Sequence, residues 1–165
     1  MALIVETGTG SSSAESFASV AQADTRLALF GNTAWGSLAT AAKEQALRRA
    51  TAYMEQAFRT RWRGTRLLRD QALSWPRYGV EVDGWTVLST IVPDDIADAC
   101  IDLAAKASLA ELNADLTRAV VREKVGPLET EYSQYSAETV RYVAIDMAMA
   151  PYLRSGGATV RLERT

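Results

Sequence analysis

The sequence contains no histidine, and this absence removes the most common general base and most zinc sites. Serine–histidine and cysteine–histidine catalysis are excluded for the same reason, so the sequence predicts a protein that is not an enzyme. A single cysteine, Cys100, cannot form an intramolecular disulfide. Its position in an apolar helical stripe predicts a small buried hydrophobe. We predict no metal and no cofactor.

Long apolar runs and a strong charge imbalance are also missing. No stretch approaches the ~20 apolar residues of a membrane-spanning helix, and the first residues lack the basic region of a signal peptide. We therefore expect neither a membrane-spanning helix nor a signal peptide. The net charge of −2 gives no overall attraction to nucleic acid. With 165 residues, 48% apolar and 23% charged, the chain has the composition of one soluble globular domain.

Helical periodicity predicts a mainly α fold, a small bundle of about four helices. Ser19 with Gln22 is a capping box, which predicts a helix that ends at Gly31 and Asn32. Further helices are predicted from Ala41 (N-cap Thr40) to about Phe58, from Pro93 to about Glu111, and from Ala137 to about Leu153. The predicted buried stripes contain Val20, Ala23, Leu27 and Phe30, then Leu47, Ala50, Met54, Ala57 and Phe58, then Ile96, Ala99, Cys100, Leu103 and Ala107.

The helical period disappears between residues 59 and 92, a stretch that holds three of the four tryptophans and six arginines. Trp75 precedes a proline, which disfavours helical backbone, and Asp83-Gly84 is a hairpin-type dipeptide. A long non-helical segment in a compact chain is usually functional. We therefore predict an ordered irregular or β excursion that wraps the bundle or contacts a neighbour.

Two further segments alternate like strands. Residues 119–132 predict a short β arm around Gly126-Pro127. Residues 155–165 predict an extended C-terminal tail after a glycine hinge, so we expect one helical domain, 1–154, and an arm, 155–165. Near the N-terminus, a β-prone run (2–6) precedes the loop G-T-G-S-S-S-A. This loop lacks the lysine of a phosphate-binding P-loop, which favours a plain turn.

Charge is distributed in two adjacent blocks. Residues 43–77 contain nine Lys or Arg against three Asp or Glu, and residues 81–115 contain eight Asp or Glu against one Lys. These blocks either meet across a subunit boundary or form two solvated helix faces. Asp94, Asp95, Asp98 and Asp102 share a helix side, where metal binding is conceivable, but a solvated acidic face is favoured.

One cluster carries candidate binding chemistry: Arg59, Arg61, Trp62, Arg63, Arg66 and Arg69. Basic residues interleaved with an aromatic ring are typical of single-stranded nucleic-acid binding, in which the charges follow phosphates and the ring stacks on a base. Arginine and tryptophan also concentrate at protein interfaces. The acidic block that follows favours a protein interface over nucleic acid.

Several motifs together resemble a known family. They are S-F-A-S-V-A-Q-A-D (16–24), N-T-A-W (32–35), A-L-R-R-A-T (46–51), W-R-G (62–64), D-Q-A-L-S-W-P-R (70–77), D-G (83–84), I-V-P (91–93) and R-E-K-V-G-P-L-E-T-E-Y (122–132). The chain resembles a tailed-phage and prophage group labelled DnaT-like single-stranded-DNA-binding proteins. That group is in turn similar to head–tail connector (adaptor, head-completion) proteins.

The resemblance implies a structural connector subunit that forms a dodecameric ring on the portal and extends the DNA channel toward the tail. The implied partners are the phage portal protein, a tail-side neck or tail-terminator protein, further copies of the chain, and packaged double-stranded DNA, with no membrane. The implied location is the virion neck, at the capsid vertex that carries the tail, and the host cytoplasm during assembly. Single-stranded-DNA binding through Arg59–Arg69 and Trp62 is the alternative function.

The connector interpretation assigns residues to two contact regions. The predicted subunit and portal interface contains Arg61, Trp62, Arg63, Arg66, Trp75, Arg77, Tyr78, Trp85, Asp95, Asp98 and Asp102. The predicted portal-binding tail contains Thr159, Val160, Arg161, Leu162, Glu163 and Arg164. No catalytic residue and no metal ligand is predicted.

Overall fold

A computed structural model of the chain describes residues 2–113, 120–124, 129–132 and 142–154. This part of the chain is mostly helical, with five α-helices and three antiparallel pairs of short strands, which confirms the predicted mainly α fold. None of the helices described is both long enough and apolar enough to cross a bilayer. The predicted C-terminal arm, with its six assigned residues from Thr159 to Arg164, lies outside the described residues.

The first helix, α1 (Val20–Leu29), begins at the predicted capping box. Ser19 Oγ accepts a hydrogen bond from the backbone N–H of Gln22, and Gln22 Oε1 accepts one from the backbone N–H of Ser19. Ala23 and Leu27 are buried as predicted, but Phe30 is 73% exposed, so its predicted place in the core is wrong. Phe30 is the C-cap residue of the helix, and its ring contacts the Arg26 guanidinium, whose carbon lies 4.9 Å from the ring centroid.

A one-turn helix, α2 (Thr33–Gly36), was not predicted. Asn32 Oδ1 accepts a hydrogen bond from the backbone N–H of Trp35, which caps this turn. The turn buries the Trp35 ring, whose indole N–H donates to Asp24 Oδ1 at 2.7 Å. Lys43 pairs with the same carboxylate at 2.9 Å, so it is buried even though its position lies off the apolar stripe.

The centre of the core lies between α3 (Thr40–Phe58) and α4 (Asp94–Ala107). Nine predicted core positions are buried: Leu47, Ala50, Met54, Phe58, Ile96, Ala99, Cys100, Leu103 and Ala107. The N-cap of α3 is Ala39 rather than the predicted Thr40. Helix α4 ends before the predicted Glu111, because Ser108 takes the C-cap position and its Oγ donates to the carbonyl of Ala105.

The predicted excursion contains two short hairpins. Its strands are β1 (Thr65–Arg66) paired antiparallel with β2 (Arg77–Tyr78), and β3 (Glu81–Val82) paired antiparallel with β4 (Trp85–Thr86). Asp83 and Gly84 join the second pair with φ of 53° and 81°. A type I′ hairpin turn requires positive φ at both central residues, so the predicted hairpin at this dipeptide is confirmed.

Aromatic rings anchor the excursion to the core. The Trp62 ring meets the Phe58 ring edge to face at 5.7 Å and the Trp75 ring at 5.8 Å. The Trp75 ring also packs edge to face on the Tyr152 ring, and their centroids are 5.7 Å apart. The backbone also connects the two regions, because Trp62 and Leu153 form an antiparallel bridge. These contacts hold the excursion in a fixed position on the bundle.

The C-terminal part of the described chain contains β5 (Val120–Lys124) and β6 (Glu129–Tyr132), which pair antiparallel as the predicted β arm. Helix α5 (Val143–Met149) leads into a 3-10 turn, Ala150–Tyr152, so the α-helix stops before Pro151 as expected. The predicted helix start at Ala137 lies outside the described residues. Near the N-terminus, Val5 forms only an isolated bridge to Ser16, so the β-prone run does not become a strand.

The glycine-containing loop after the N-terminal run is filled by a carboxylate of the chain itself. Glu6 Oε1 accepts backbone hydrogen bonds from Gly8, Thr9 and Gly10 at 2.8–3.0 Å, and Glu6 Oε2 accepts one from Ser11 at 2.7 Å. Glu6 is buried. Because its carboxylate occupies the position that an anion would take, the loop is not a phosphate site, in agreement with the predicted plain turn.

Candidate nucleic-acid interface

Five arginines gather around Gly64, where the first hairpin meets the end of the described chain. Arg77 Nη2 and Arg154 Nη2 both approach the Gly64 carbonyl, at 2.8 and 3.5 Å. Arg66 lies opposite Arg77 in the β1–β2 register. The carbonyl of Arg61 accepts a hydrogen bond from the backbone N–H of Arg154 at 2.7 Å. We refer to Arg61, Arg63, Arg66, Arg77 and Arg154 as the arginine surface.

Arg77 forms the base of this surface. Its side chain is buried, and it is held by three main-chain carbonyls. Nε donates to the carbonyl of Arg63 at 2.6 Å, Nη2 to that of Gly64 at 2.8 Å, and Nη1 to that of Ser74 at 3.0 Å. A planar guanidinium donates in several fixed directions, so a single side chain fixes three points of the excursion backbone.

The arginine surface differs from the other basic residues in its lack of ion pairs. Among the described residues, none of its five arginines forms an ion pair, whereas Arg26, Lys43 and Arg48 of the bundle all do. The pKa of Arg77 is lowered first by burial and then by repulsion from Arg154 and Arg66, while the Glu55 carboxylate opposes this shift. Mutual repulsion of this kind is relieved by a bound anion, and arginine is well suited to phosphate.

Two exposed aromatic rings lie on the two hairpins that adjoin the arginine surface. Tyr78 is 69% exposed and follows Arg77 on β2. Trp85 is 81% exposed and lies on β4. Arg63 connects the surface to this second hairpin, because its Nη1 donates to the carbonyl of Glu81 at 3.1 Å. Arginines beside exposed rings can contact phosphates while the rings stack on bases.

Trp62 and Trp75 were predicted as contact residues, but the structure places both in the core, at 1% and 0% exposure. Trp62 therefore cannot stack on a base in the folded chain. Successive side chains of an extended backbone point to opposite sides. The alternation R-W-R at residues 61–63 is therefore a signal that the tryptophan faces inward while both arginines face outward.

Arg154 is the member of the surface that sequence reasoning missed. It lies far along the chain from the other four arginines, and the bridge between Trp62 and Leu153 brings it to them. No pattern around Arg154 points to this contact. Of the other predicted contact residues, Arg61 and Arg63 are exposed and Arg66 is half-buried.

The acidic residues predicted at a subunit boundary have partners within the chain. Arg26 pairs with Asp98 at 2.7 Å and with Asp102 at 3.0 Å, and Tyr152 Oη donates to Asp95 Oδ2 at 2.7 Å. Burial, followed by the hydrogen bond to Asp95, raises the pKa of Tyr152. Within the described ranges, no three His, Cys, Asp or Glu side chains are arranged to hold a metal ion.

Comparison with known protein families decides between the sequence-based interpretations. Residues 1–165 match the family described as "Putative DnaT-like ssDNA binding protein". The chain belongs to this family. No curated protein and no solved structure matches the chain significantly.

This family description names single-stranded-DNA binding, and nothing found indicates a phage head–tail connector. The predicted identity as a connector subunit is therefore wrong. The predicted partners are wrong with it, namely the portal, a tail-side neck protein, a dodecameric ring and packaged duplex DNA. The predicted location in the virion neck depended on that identity and stays a prediction. The family description agrees with the alternative, single-stranded-DNA binding.

Proposed function

We propose that this chain binds single-stranded DNA, with the exposed members of the arginine surface, Arg61, Arg63 and Arg154, contacting phosphates and with Tyr78 and Trp85 stacking on bases. The observation that carries the proposal is a set of five arginines that, among the described residues, form no ion pair, together with two exposed rings on the adjoining hairpins. The description of the family supports the same function.

The exposed rings favour single strands over duplex. Stacking on a protein ring requires a base whose face is free, and the bases of a duplex are already stacked on each other. Each stacked base contributes about 1–3 kcal/mol, and every base offers such a face. We therefore propose binding with little sequence preference and a preference for unpaired DNA.

The arginines have different roles in this proposal. Arg63 donates to the carbonyls of Leu153 and Glu81, so its main role is to hold the surface together. Arg61 is exposed, and its side chain forms no hydrogen bond to another described residue. Its guanidinium carbon lies 5.9 Å from the Phe58 ring centroid. Arg61 is therefore the side chain best placed to contact a phosphate.

Binding without catalysis is part of the proposal. The sequence has no histidine to act as a general base. Cys100, the single cysteine, is buried, and burial raises the pKa of its thiol. A protonated, enclosed thiol is a poor nucleophile.

Fluorescence anisotropy with a labelled oligothymidylate of about 16 nucleotides tests the proposal. The wild-type chain should bind it more tightly than a duplex of equal length, with an affinity that falls as salt rises. Arg61→Gln should weaken binding and reduce the slope of log K against log salt by about 0.7, the contribution of one phosphate contact on a single strand.

Lys106→Gln is the matched control. It also removes one exposed cation that lies over an aromatic ring, since Lys106 Nζ is 5.8 Å from the Tyr142 ring centroid. Lys106 is on α4, outside the arginine surface, so its loss should leave the affinity close to wild type. Equal effects of the two variants, or duplex binding as tight as single-strand binding, would show that the surface is assigned wrongly.

A further inference from the structure

Arg61 and Arg154 lie opposite each other where the end of the described chain meets the excursion. The backbone N–H of Arg154 donates to the carbonyl of Arg61 at 2.7 Å, next to the bridge between Trp62 and Leu153. Both arginines are exposed, whereas Trp62 and Leu153 are buried. Like charges directly opposite each other across paired backbone repel, and among the described residues neither arginine forms an ion pair. A bound anion would therefore stabilise this pair.

Arg154 is also one of three arginines that gather around a single backbone carbonyl, that of Gly64. Arg77 Nη2 donates to this carbonyl at 2.8 Å, and Arg154 Nη2 lies 3.5 Å from it. The two nitrogens are therefore closer to each other than the sum of these distances. Arg66 lies opposite Arg77 in the first hairpin. The positive charge converges on one point here instead of following a line along the surface.

One carboxylate partly offsets these three charges. The backbone N–H and the hydroxyl of Ser74 donate to the two carboxylate oxygens of Glu55, each at 2.7 Å, and the carbonyl of Ser74 accepts from Arg77 Nη1 at 3.0 Å. Burial lowers the pKa of Arg77 most, repulsion from Arg154 and Arg66 lowers it further, and Glu55 opposes the shift. Three guanidinium groups against one carboxylate leave an excess of two positive charges around Arg77.

The size of this excess distinguishes two kinds of phosphate. A phosphodiester inside a strand carries one negative charge and would compensate half of it. A phosphate monoester carries a charge of about −1.5 to −2 at pH 7 and has three acceptor oxygens, so it matches the excess and can accept from more than one guanidinium. Arg154 is exposed and can contact such a group, while the buried Arg77 and the half-buried Arg66 act through their electric field.

We propose that the arginine surface binds the terminal phosphate of a single DNA strand, with Arg154 and Arg61 as the residues that contact it. This inference rests on the proposed DNA function and adds a preference for strands that end in a phosphate monoester. The side chains of an acidic peptide match the site less well, because each carboxylate carries one charge. The 5′ and 3′ ends share the same phosphate chemistry, and the experiment distinguishes them.

Competition against the labelled oligothymidylate of about 16 nucleotides, with the full chain, tests the inference. Unlabelled competitors of about six nucleotides carry a 5′ phosphate, a 3′ phosphate, or hydroxyls at both ends. At least one phosphorylated competitor should bind about tenfold more tightly than the unphosphorylated one, because it gains a charge-assisted hydrogen bond. The favoured competitor identifies the end. A methyl ester on that phosphate removes one charge with little change in size, and should remove most of the preference.

Variants at Arg154 connect the preference to this site. Arg154→Gln should make the phosphorylated and unphosphorylated competitors bind almost equally. Arg154→Lys keeps the charge without the planar guanidinium, so it should retain part of the preference. Lys106→Gln is the matched control, because it removes an exposed cation outside the arginine surface and should leave the preference unchanged.

Equal binding of all the competitors to the wild-type chain would overturn this inference and leave the proposed function standing. Failure of every oligothymidylate to bind would instead refute the proposed function, and this inference with it. Three further results would contradict a site for the end of a DNA strand. They are a preference that persists in Arg154→Gln, a methyl ester that binds as tightly as the monoester, and inorganic phosphate or a phosphoserine peptide that competes as well as the phosphorylated oligothymidylate.

Discussion

Two tryptophans of the same excursion should respond to truncation in opposite ways. Trp62 is 1% exposed and packs edge to face between Phe58 and Trp75. Trp62→Ala removes this packing, and a change of this kind in a core lowers the free energy of unfolding by about 3–5 kcal/mol. Trp85→Ala should change it by less than about 0.5 kcal/mol, because that ring is mostly in solvent.

DNA affinity should fall more in Trp85→Ala than in Trp62→Ala, the reverse of the order predicted for stability. Trp85→Ala removes one stacking contact of about 1–3 kcal/mol, which corresponds to a loss of about 5- to 150-fold in affinity. Trp62→Ala should leave the affinity nearly unchanged wherever the variant is folded. Urea unfolding followed by circular dichroism measures the first quantity, and anisotropy measures the second. If Trp62→Ala were as stable as wild type and bound DNA weakly, the assignment of Trp62 to the core would be refuted.

Three further predictions concern the fold and are measured by urea unfolding. Glu6→Gln should lower the free energy of unfolding by about 2 kcal/mol, because its carboxylate accepts four backbone hydrogen bonds and an amide oxygen cannot replace both acceptors; a neutral effect would contradict this. Although burial opposes it, the hydrogen bonds from Lys43 and Trp35 lower the pKa of Asp24 below its usual value. Asp24→Asn should therefore lower the free energy of unfolding by up to about 1 kcal/mol at neutral pH. This difference between variant and wild type should disappear as the pH falls through the lowered pKa, because the protonated wild type also loses the ion pair. A difference that does not depend on pH would count against the ion pair. Gly64→Ala should destabilise by more than about 1 kcal/mol, because its φ is +65° and a Cβ would lie 2.3 Å from the Tyr78 carbonyl; wild-type stability would show that the hairpin is placed wrongly.

Local chemistry made much of the fold predictable. The capping box of Ser19 and Gln22 and the hairpin dipeptide Asp83-Gly84 act within a few residues, so their sequence signals are sufficient. Helix α2 was not predicted, because a single turn is too short to show the helical period of apolar residues. It is stabilised by tertiary contacts of Trp35, including the hydrogen bond to Asp24.

The binding surface was harder to predict because exposure is a tertiary property. Trp62, Trp75 and Trp85 lie in one stretch with similar neighbours, yet only Trp85 faces solvent. Arg154 joins the arginine surface through a long-range bridge. The choice of a protein interface over nucleic acid failed for a related reason. Arginine beside tryptophan suits both, and the aspartates that favoured a subunit boundary have partners such as Arg26 in their own chain.

The intrinsic tryptophan fluorescence of the full chain during titration with oligothymidylate tests the proposed surface most directly. Trp35, Trp62 and Trp75 are buried, so Trp85 is the one tryptophan on which a base can stack. We predict saturable quenching that weakens as salt rises and is absent in Trp85→Phe, a variant that should still bind the oligonucleotide through its arginines. Failure of the wild-type chain to bind, or saturable binding that leaves the Trp85 emission unchanged, would contradict the account.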